Sequence, residues 1–186
     1  MGNNKPLIFF IKILLLFFIW IEPIYCNEEK WKVFFVDPVP SFEYPAEMIV
    51  EGAGPDDDLF DWTYTLKTKN NEFTIFSSGF YRVFEHLRKP QENSYSYILR
   101  ELKNEYGDNI TYLMKNKTII LVVSIKNGIK TVHKFWLGGE HASDQAVNEL
   151  IISYPYSKRN IYDKWMQRVE ASWKPKYVRR YGWGCE

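Results

Sequence analysis

Histidine is the side chain that most often transfers protons or binds metals near neutral pH, and the sequence contains His86, His133 and His141. None of the three has a second His, a Cys or a carboxylate at the spacing of an established metal motif. His133 follows Val132 in an apolar segment, where strand alternation places the two side chains on opposite faces. This pattern predicts an ordinary surface or half-buried strand residue, and the histidines together predict no metal site.

One short segment combines the groups that a hydrolase needs. His141, Ser143 and Asp144 follow the pair Gly138-Gly139, so a base, a hydroxyl and a carboxylate are close together in the sequence. Ser143 and Asp144 are explained better as the cap and first turn of a helix. Since the sequence has no nucleophile elbow and no phosphate-binding glycine loop, we predict no catalytic residue and no cofactor. A secreted hydrolase that uses this cluster is the alternative.

A run of acids at residues 56–58, followed by Asp61, offers oxygen atoms of the kind that calcium binds. A calcium loop alternates its ligands, contains a turn glycine and ends in a bidentate acid. Here the three acids are consecutive and Gly54 precedes them. The pattern therefore predicts a solvated loop, and we predict no metal ligand in the chain.

The C-terminal tail, residues 173–186, interleaves cations and aromatic rings in a stretch too rich in Pro and Gly for a helix. Such a segment can stack on and neutralise an anionic partner. We predict a contact surface formed by Trp173, Lys174, Lys176, Tyr177, Arg179, Arg180, Tyr181 and Trp183. In the alternative, the tail folds back, its aromatic rings cover the sheet, and its arginines pair with the acidic half of the chain.

The N-terminus predicts a secretory signal peptide at residues 1–26. Residues 13–21 contain only Ile, Leu, Phe and Trp, a length typical of a signal-peptide core and about half of what a membrane-spanning helix needs. Pro23 suits the turn before a cleavage site, and Cys26 is small enough to precede the cut. We therefore predict cleavage between Cys26 and Asn27 and a secreted protein, with an uncleaved signal anchor as the alternative.

The chain contains two cysteines, Cys26 and Cys185. Cleavage after Cys26 leaves Cys185 alone in an oxidising compartment, which predicts an intermolecular disulfide, and so a homodimer, or an unpaired thiol. Cleavage before Cys26 instead allows a Cys26–Cys185 bridge between the two ends of the mature chain. We favour the first arrangement because Tyr25 is a poor residue to cut after.

Two N-glycosylation sequons, Asn109-Ile110-Thr111 and Asn116-Lys117-Thr118, lie close together in the sequence. In a secreted chain we expect both asparagines to carry glycans, and we expect this region to lie on the surface. The alternative is that one or both sequons remain unused.

The charge of the mature protein is balanced but unevenly distributed. The whole chain has 24 Lys+Arg and 23 Asp+Glu, and removal of residues 1–26 takes away Lys5, Lys12 and Glu22, which leaves 22 of each sign. Residues 28–61 are acidic, whereas the chain from Lys158 onward is basic. A balanced total and a secretory route argue against a nucleic-acid partner.

Turn residues and apolar periodicity predict the elements that position these groups. Asn127-Gly128 predicts a type I′ hairpin turn, and residues 69–71 predict a second hairpin. We expect helices at residues 94–106, 143–153 and 158–173, the first capped by Asn93 or Ser94 and ended by Gly107. The order predicts one α+β domain over residues 27–186, with an antiparallel sheet of about six to seven strands and three helices packed mainly on one face.

These features together predict a secreted, N-glycosylated binding protein without catalytic activity. Its partner is an unknown protein, an anionic glycan or a membrane surface, which the C-terminal tail contacts. The alternatives are the hydrolase described above and a small carrier that holds a lipid or another hydrophobic ligand against the concave side of the sheet.

Overall fold

The computed structural model describes residues 30–36, 39–53, 62–81, 92–138 and 146–175. It contains two helices, α1 (Ser94–Tyr106) and α2 (Arg159–Ser172), within these residues. The strands are β1 (Trp31–Phe34), β2 (Phe42–Pro45), β3 (Ile49–Ala53), β4 (Trp62–Lys67), β5 (Thr74–Tyr81), β6 (Ile110–Lys115), β7 (Ile119–Lys126), β8 (Ile129–Gly138) and β9 (Ala146–Pro155). Neither helix is long and apolar enough to cross a membrane, which is a finding about these residues only.

Seven of the strands form one antiparallel sheet in the order β3-β4-β5-β9-β8-β7-β6. The other two, β1 and β2, form a small antiparallel sheet of their own. The predicted α+β class is therefore confirmed, and so is a main sheet of about seven antiparallel strands.

Both predicted hairpin turns are present in the main sheet. Asn127 and Gly128 have φ angles of 53° and 76°, the positive values that a type I′ turn requires, and they join β7 to β8. Asn71 has a φ of 57° in the turn that joins β4 to β5. Asn and Gly adopt positive φ at low cost, which is why these turns can be identified from sequence.

The predicted helix at residues 143–153 is wrong. Residues from Ala146 to Pro155 form β9, which pairs with β5 on one side and β8 on the other. Its two faces are both buried, since Val147 packs in one core while Leu150 and Ile152 pack in the other. A strand with two apolar faces lacks polar alternation, and its apolar residues also match helical spacing.

The two helices lie on opposite faces of the main sheet, so the expected packing of three helices mainly on one face is also wrong. Strand β8 shows this through its alternation, because Val132 belongs to the core that contains α2. Phe135 and Leu137 belong to the core that contains α1. Each helix therefore covers a different apolar face, and the sheet is the middle layer of the domain.

Aromatic rings fill the core beneath α2. The ring of Phe73 lies 5.6 Å from that of Tyr154, 5.2 Å from that of Tyr162 and 5.4 Å from that of Trp165, as centroid distances. Such stacked and edge-on pairs add about 0.5–1.5 kcal/mol each beyond the area they bury. Within the described residues, eight buried aromatic side chains belong to this core.

The small sheet lies beside α2 in the same layer. The backbone N–H of Glu43 donates to the Ser172 hydroxyl at the end of α2, at 2.9 Å. One face of the small sheet packs inward, where the ring of Phe34 lies 5.1 Å from both Phe42 and Tyr64. Its other face points away from the main sheet.

Candidate binding surface and the predicted sites

Trp31 and Val33 on β1, and Phe35 just after its end, are apolar residues at alternate positions, of which Trp31 is half-buried against the core. We call Trp31, Val33 and Phe35 the outer stripe. Val33 is 66% exposed and Phe35 is 69% exposed, whereas Phe34 between them is buried. Apolar side chains that recur on one outward face are typical of a contact surface rather than of a solvated one. Residues 31–36 are apolar at every position except Lys32, so the sequence pattern alone did not reveal this stripe.

A cation covers one end of the outer stripe. The guanidinium carbon of Arg168, on α2, lies 4.4 Å from the centroid of the Trp31 ring. The Nε of Arg168 also donates to a carboxylate oxygen of Glu43 at 2.6 Å. Trp31 itself packs edge-on against Trp165, with the ring centroids 6.4 Å apart. These contacts hold the guanidinium between the Trp31 ring and the Glu43 carboxylate, so its charge is already paired within the protein.

The C-terminal tail begins beside this stripe. Lys174 and Ser41 exchange two backbone hydrogen bonds, of 3.2 and 2.8 Å, so the tail starts in an isolated antiparallel bridge to the residue before β2. On the other side of β2, the register that pairs Phe34 with Phe42 places Phe35 opposite Ser41 when it is extended by one residue. About two strand spacings of 4.8 Å therefore separate Lys174 from Phe35.

The first two residues of the predicted contact surface differ in their surroundings. Trp173 is buried in the core beneath α2, and the ammonium of Lys134 lies 5.3 Å from the centroid of its ring. Lys174 is exposed. The remaining predicted residues lie outside the described part of the chain, namely Lys176, Tyr177, Arg179, Arg180, Tyr181 and Trp183. Cys26, Cys185 and the predicted signal peptide lie outside it as well.

His133 is buried, not half-buried or on the surface as the sequence predicted. It is 5% exposed on the face of β8 that α1 covers, and its Nε2 lies 2.8 Å from the hydroxyl of Tyr106. Burial raises the pKa of Tyr106, and the carboxylates of Glu105 and Glu149 raise it further. The hydroxyl and Nε2 therefore share one buried hydrogen bond between α1 and β8.

Glu149 completes this polar group from the neighbouring strand β9. Its carboxylate lies 3.7 Å from the Nδ1 of His133, within range of a charge interaction but too far for a hydrogen bond. The pair faces the protein interior and not the solvent. We assign the group a structural role, since a proton donor or acceptor for catalysis must reach a substrate.

The groups of the hydrolase alternative lie outside the described residues. This applies to His141, Ser143 and Asp144, and also to His86 and the acids of residues 56–58 and Asp61. In the described ranges, no three His, Cys, Asp or Glu side chains are grouped as metal ligands would be. The hydrolase and the hydrophobic-ligand carrier both stay predictions.

The two sequon asparagines lie on the surface, at the two ends of β6. Asn109 is exposed in the 3₁₀ turn before β6, and its amide nitrogen donates to the carbonyl of Tyr106 at 2.9 Å. Asn116 is exposed in the turn after β6, where its side-chain oxygen accepts from the backbone N–H groups of Thr118 and Ile119. Both positions are open to modification, and their occupancy stays a prediction.

Comparisons with known proteins identify no relative by sequence. No protein-family model matches the chain, and no curated protein matches it. A crystal structure at 1.50 Å of a protein from Bacteroides thetaiotaomicron VPI-5482 is similar, with a TM-score of 0.38 and 17% identity. The match covers 75% of this chain and 46% of that protein, so it spans less than half of its length. Similarity at this level supports no conclusion about function.

Proposed function

We propose that the protein is a secreted, N-glycosylated binding protein without catalytic activity, and that its contact surface joins the outer stripe to the C-terminal tail. The observation that carries this proposal is the exposure of Val33 and Phe35 at the same small sheet where Ser41, before β2, pairs with Lys174 at the origin of the tail. The stripe supplies apolar area, and the tail supplies cations and further aromatic rings.

The chemistry of this surface favours an acidic protein as the partner. Burial of the exposed surface of Val33 and Phe35 against a partner lowers the free energy of the complex. An apolar protein surface removes these side chains from water better than the hydroxyl groups of a glycan do. Lys174, at the start of the tail, is exposed and adds positive charge. The proposed partner therefore presents apolar side chains next to carboxylates.

The test is affinity capture with the secreted full-length protein as bait, from extracellular fluid of the source organism. Three further baits are a chain without residues 176–186, a Val33→Ser/Phe35→Ser variant, and an Ile161→Ser variant. Ile161 is the matched control, because it is an exposed apolar residue on α2. We expect the truncated chain and the double variant to lose the same captured protein, whereas the control retains it. Equal capture by all four baits contradicts the proposal.

Two other partner classes are distinguished by direct binding measurements. Retention on a heparin column reports a sulfated glycan, and co-sedimentation with phosphatidylserine vesicles reports a membrane surface. We expect the Val33→Ser/Phe35→Ser variant to behave like the wild type in both measurements. Loss of heparin retention in an Arg179→Ala/Arg180→Ala variant, without any change in protein capture, assigns the tail to a glycan and separates it from the stripe.

A further inference from the structure

Strand β6 is at one end of the order of the main sheet, and it carries apolar side chains into solvent. Leu113 is 40% exposed, and its neighbours Tyr112 and Met114 are also exposed. An edge strand presents backbone N–H and C=O groups along its outer side, which can pair with another strand. A long, apolar edge without protection leads to association between chains.

The strand has two protective features of its own, a β-bulge between Ile110 and Tyr112 and the charge of Lys115 at its end. The hydroxyl of Thr111 donates to the carbonyl of Val123 at 3.1 Å within this irregular part. A bulge disrupts further pairing where it occurs. Residues 112–115 continue in regular register, however, so the apolar half of the edge is left suitable for pairing.

Charge favours a second copy of the same strand as the partner. Asp108 precedes β6, while Lys115 ends it and Lys117 follows, and all three side chains are exposed. In an antiparallel pair of identical strands, the start of one strand lies beside the end of the other. Each end of such a dimer therefore brings the acid of one copy close to the lysines of the other.

The two sequons lie at the ends of this strand. Asn109 is next to Asp108, and Asn116 lies between Lys115 and Lys117. In the antiparallel dimer, each end of the interface would hold the Asn109 glycan of one copy and the Asn116 glycan of the other. A bulky, hydrated glycan at these positions is incompatible with two backbones about 4.8 Å apart.

We propose that β6 is a self-pairing edge and that N-glycans at Asn109 and Asn116 keep it unpaired. The inference rests on the glycosylation that belongs to the proposed function. It is independent of the proposed partner, because β6 and the outer stripe are in different sheets. The modification thus has a physical purpose, which is to keep the secreted protein from associating through its main sheet.

The experiment compares oligomeric states by sedimentation velocity, with Cys185→Ser in every sample so that no disulfide dimer contributes. The first pair of samples is the glycosylated protein and its Asn109→Gln/Asn116→Gln variant. Gln is used because enzymatic removal of the glycans leaves aspartate at each sequon and so adds charge. We expect a monomer for the glycosylated protein and a concentration-dependent dimer for the variant.

Two further samples show which edge pairs. Leu113→Lys is added to the glycan-free variant, and Ile49→Lys is added to a separate sample as the matched control. Ile49 is 44% exposed on β3, the opposite end of the sheet order. A lysine at position 113 places like charges together in the dimer, so we expect this change to restore the monomer while the control remains dimeric.

Several results overturn the inference. A glycan-free variant that stays monomeric removes the self-pairing edge, as does a dimer that persists with Leu113→Lys. A dimer in the glycosylated protein, or a secreted wild-type protein that is monomeric without any glycan, removes the protective role of the sequons. Loss of partner capture in the preceding experiment leaves this inference intact, because that experiment tests a different surface.

Discussion

Tyr106 and His133 show how the protein accommodates a polar group inside an apolar layer. The tyrosine hydroxyl and the imidazole Nε2 satisfy each other at 2.8 Å, so the strand can carry a histidine under α1. Burying either group without its partner leaves a polar atom that has lost its water. The hydrogen bond of this histidine therefore stabilises the packing of α1 on the sheet.

Replacement of Tyr106 by Phe is expected to reduce the free energy of unfolding by about 1–3 kcal/mol, because Nε2 of His133 is then buried without a hydrogen-bond partner. Urea unfolding followed by tryptophan fluorescence measures the change. The control is Tyr112→Phe, since Tyr112 is exposed on β6 and should change stability by no more than about 0.5 kcal/mol. A similar decrease in the free energy of unfolding in both variants would show that the buried hydrogen bond contributes no more than an exposed tyrosine hydroxyl does.

The buried hydroxyl of Tyr154 makes the stability of the protein decrease at alkaline pH. This hydroxyl donates to the carboxylate of Asp163 at 2.6 Å. Burial raises the pKa of Tyr154, and the hydrogen bond and charge of Asp163 raise it further. The folded protein therefore keeps the proton at a pH where the unfolded chain, with an ordinary tyrosine pKa of about 10, releases it.

The sign of the effect follows from this difference. The stabilisation is complete below the unfolded pKa of about 10 and is lost as the pH rises above it, by at most about 1.4 kcal/mol per pH unit for each tyrosine. We expect a shallower alkaline loss in Tyr154→Phe than in the wild type, with no change in slope between about pH 7 and pH 9. Urea unfolding below and above pH 10 measures how the free energy of unfolding changes with pH in the wild type and in the variant. Identical slopes of the two proteins above pH 10 would refute the assignment.

At the scale of the element, sequence patterns identified the parts whose geometry is fixed locally. Asn127-Gly128 and Asn71 marked their turns because positive φ excludes most other residues. The amphipathic spacing of α1, and the glycine that ends it, were similarly sufficient. These features depend on a few neighbouring residues, so they can be predicted from the local sequence alone.

The features that were predicted wrongly or missed depend on contacts with distant parts of the chain. Val147, Leu150, Ile151 and Tyr154 have the spacing of a helix, and only the strands on either side, β5 and β8, make this segment a strand. The outer stripe was missed for the same reason, because Phe34 and Phe35 look alike until the packing of the small sheet buries one of them. Tertiary contacts thus decided both the fold and the candidate surface.

The start of α1 provides a test at this scale. Asn93 caps the helix, and its side-chain oxygen accepts the backbone N–H of Ser96 at 2.8 Å. We expect Asn93→Ala to cost about 1 kcal/mol in the free energy of unfolding. Asn104→Ala is the matched control, because Asn104 is exposed within the same helix, where alanine is the better helix former. Thermal unfolding by circular dichroism should show a lower midpoint for the first variant only.

At the scale of the whole molecule, acidic residues of the N-terminal half contact basic residues of the C-terminal half. Glu43 binds Arg168, and Glu72 accepts from both Lys158 and the hydroxyl of Tyr162. Each such pair near the surface contributes little on its own. Their position is informative, since they connect the small sheet and the β4–β5 hairpin to α2.

One prediction concerns the covalent state of the intact mature chain, namely its first residue, its glycans and its remaining cysteine. We expect the secreted protein to begin at Asn27, to lose mass on removal of N-glycans, and to carry Cys185 either in a disulfide dimer or unpaired. Intact-mass spectrometry before and after reduction, on enzymatically deglycosylated protein, measures all three. A mature chain that begins at Cys26 and forms an internal bridge contradicts the cleavage site and the cysteine assignment together.

The position of β9 governs the order in which the molecule can be made. It is the middle strand of seven, yet it follows six of them in the chain. The β4–β5 pair and the β7–β8 pair can therefore be joined into one sheet only after residues 146–155 have been synthesised, and pairing between distant segments of this kind is slow. Both sequons precede this strand in the chain, so on the proposed secretory route they would enter the lumen while the two halves of the sheet are still separate. An oligosaccharide transferred at that moment would reach the nascent chain before the main sheet is complete.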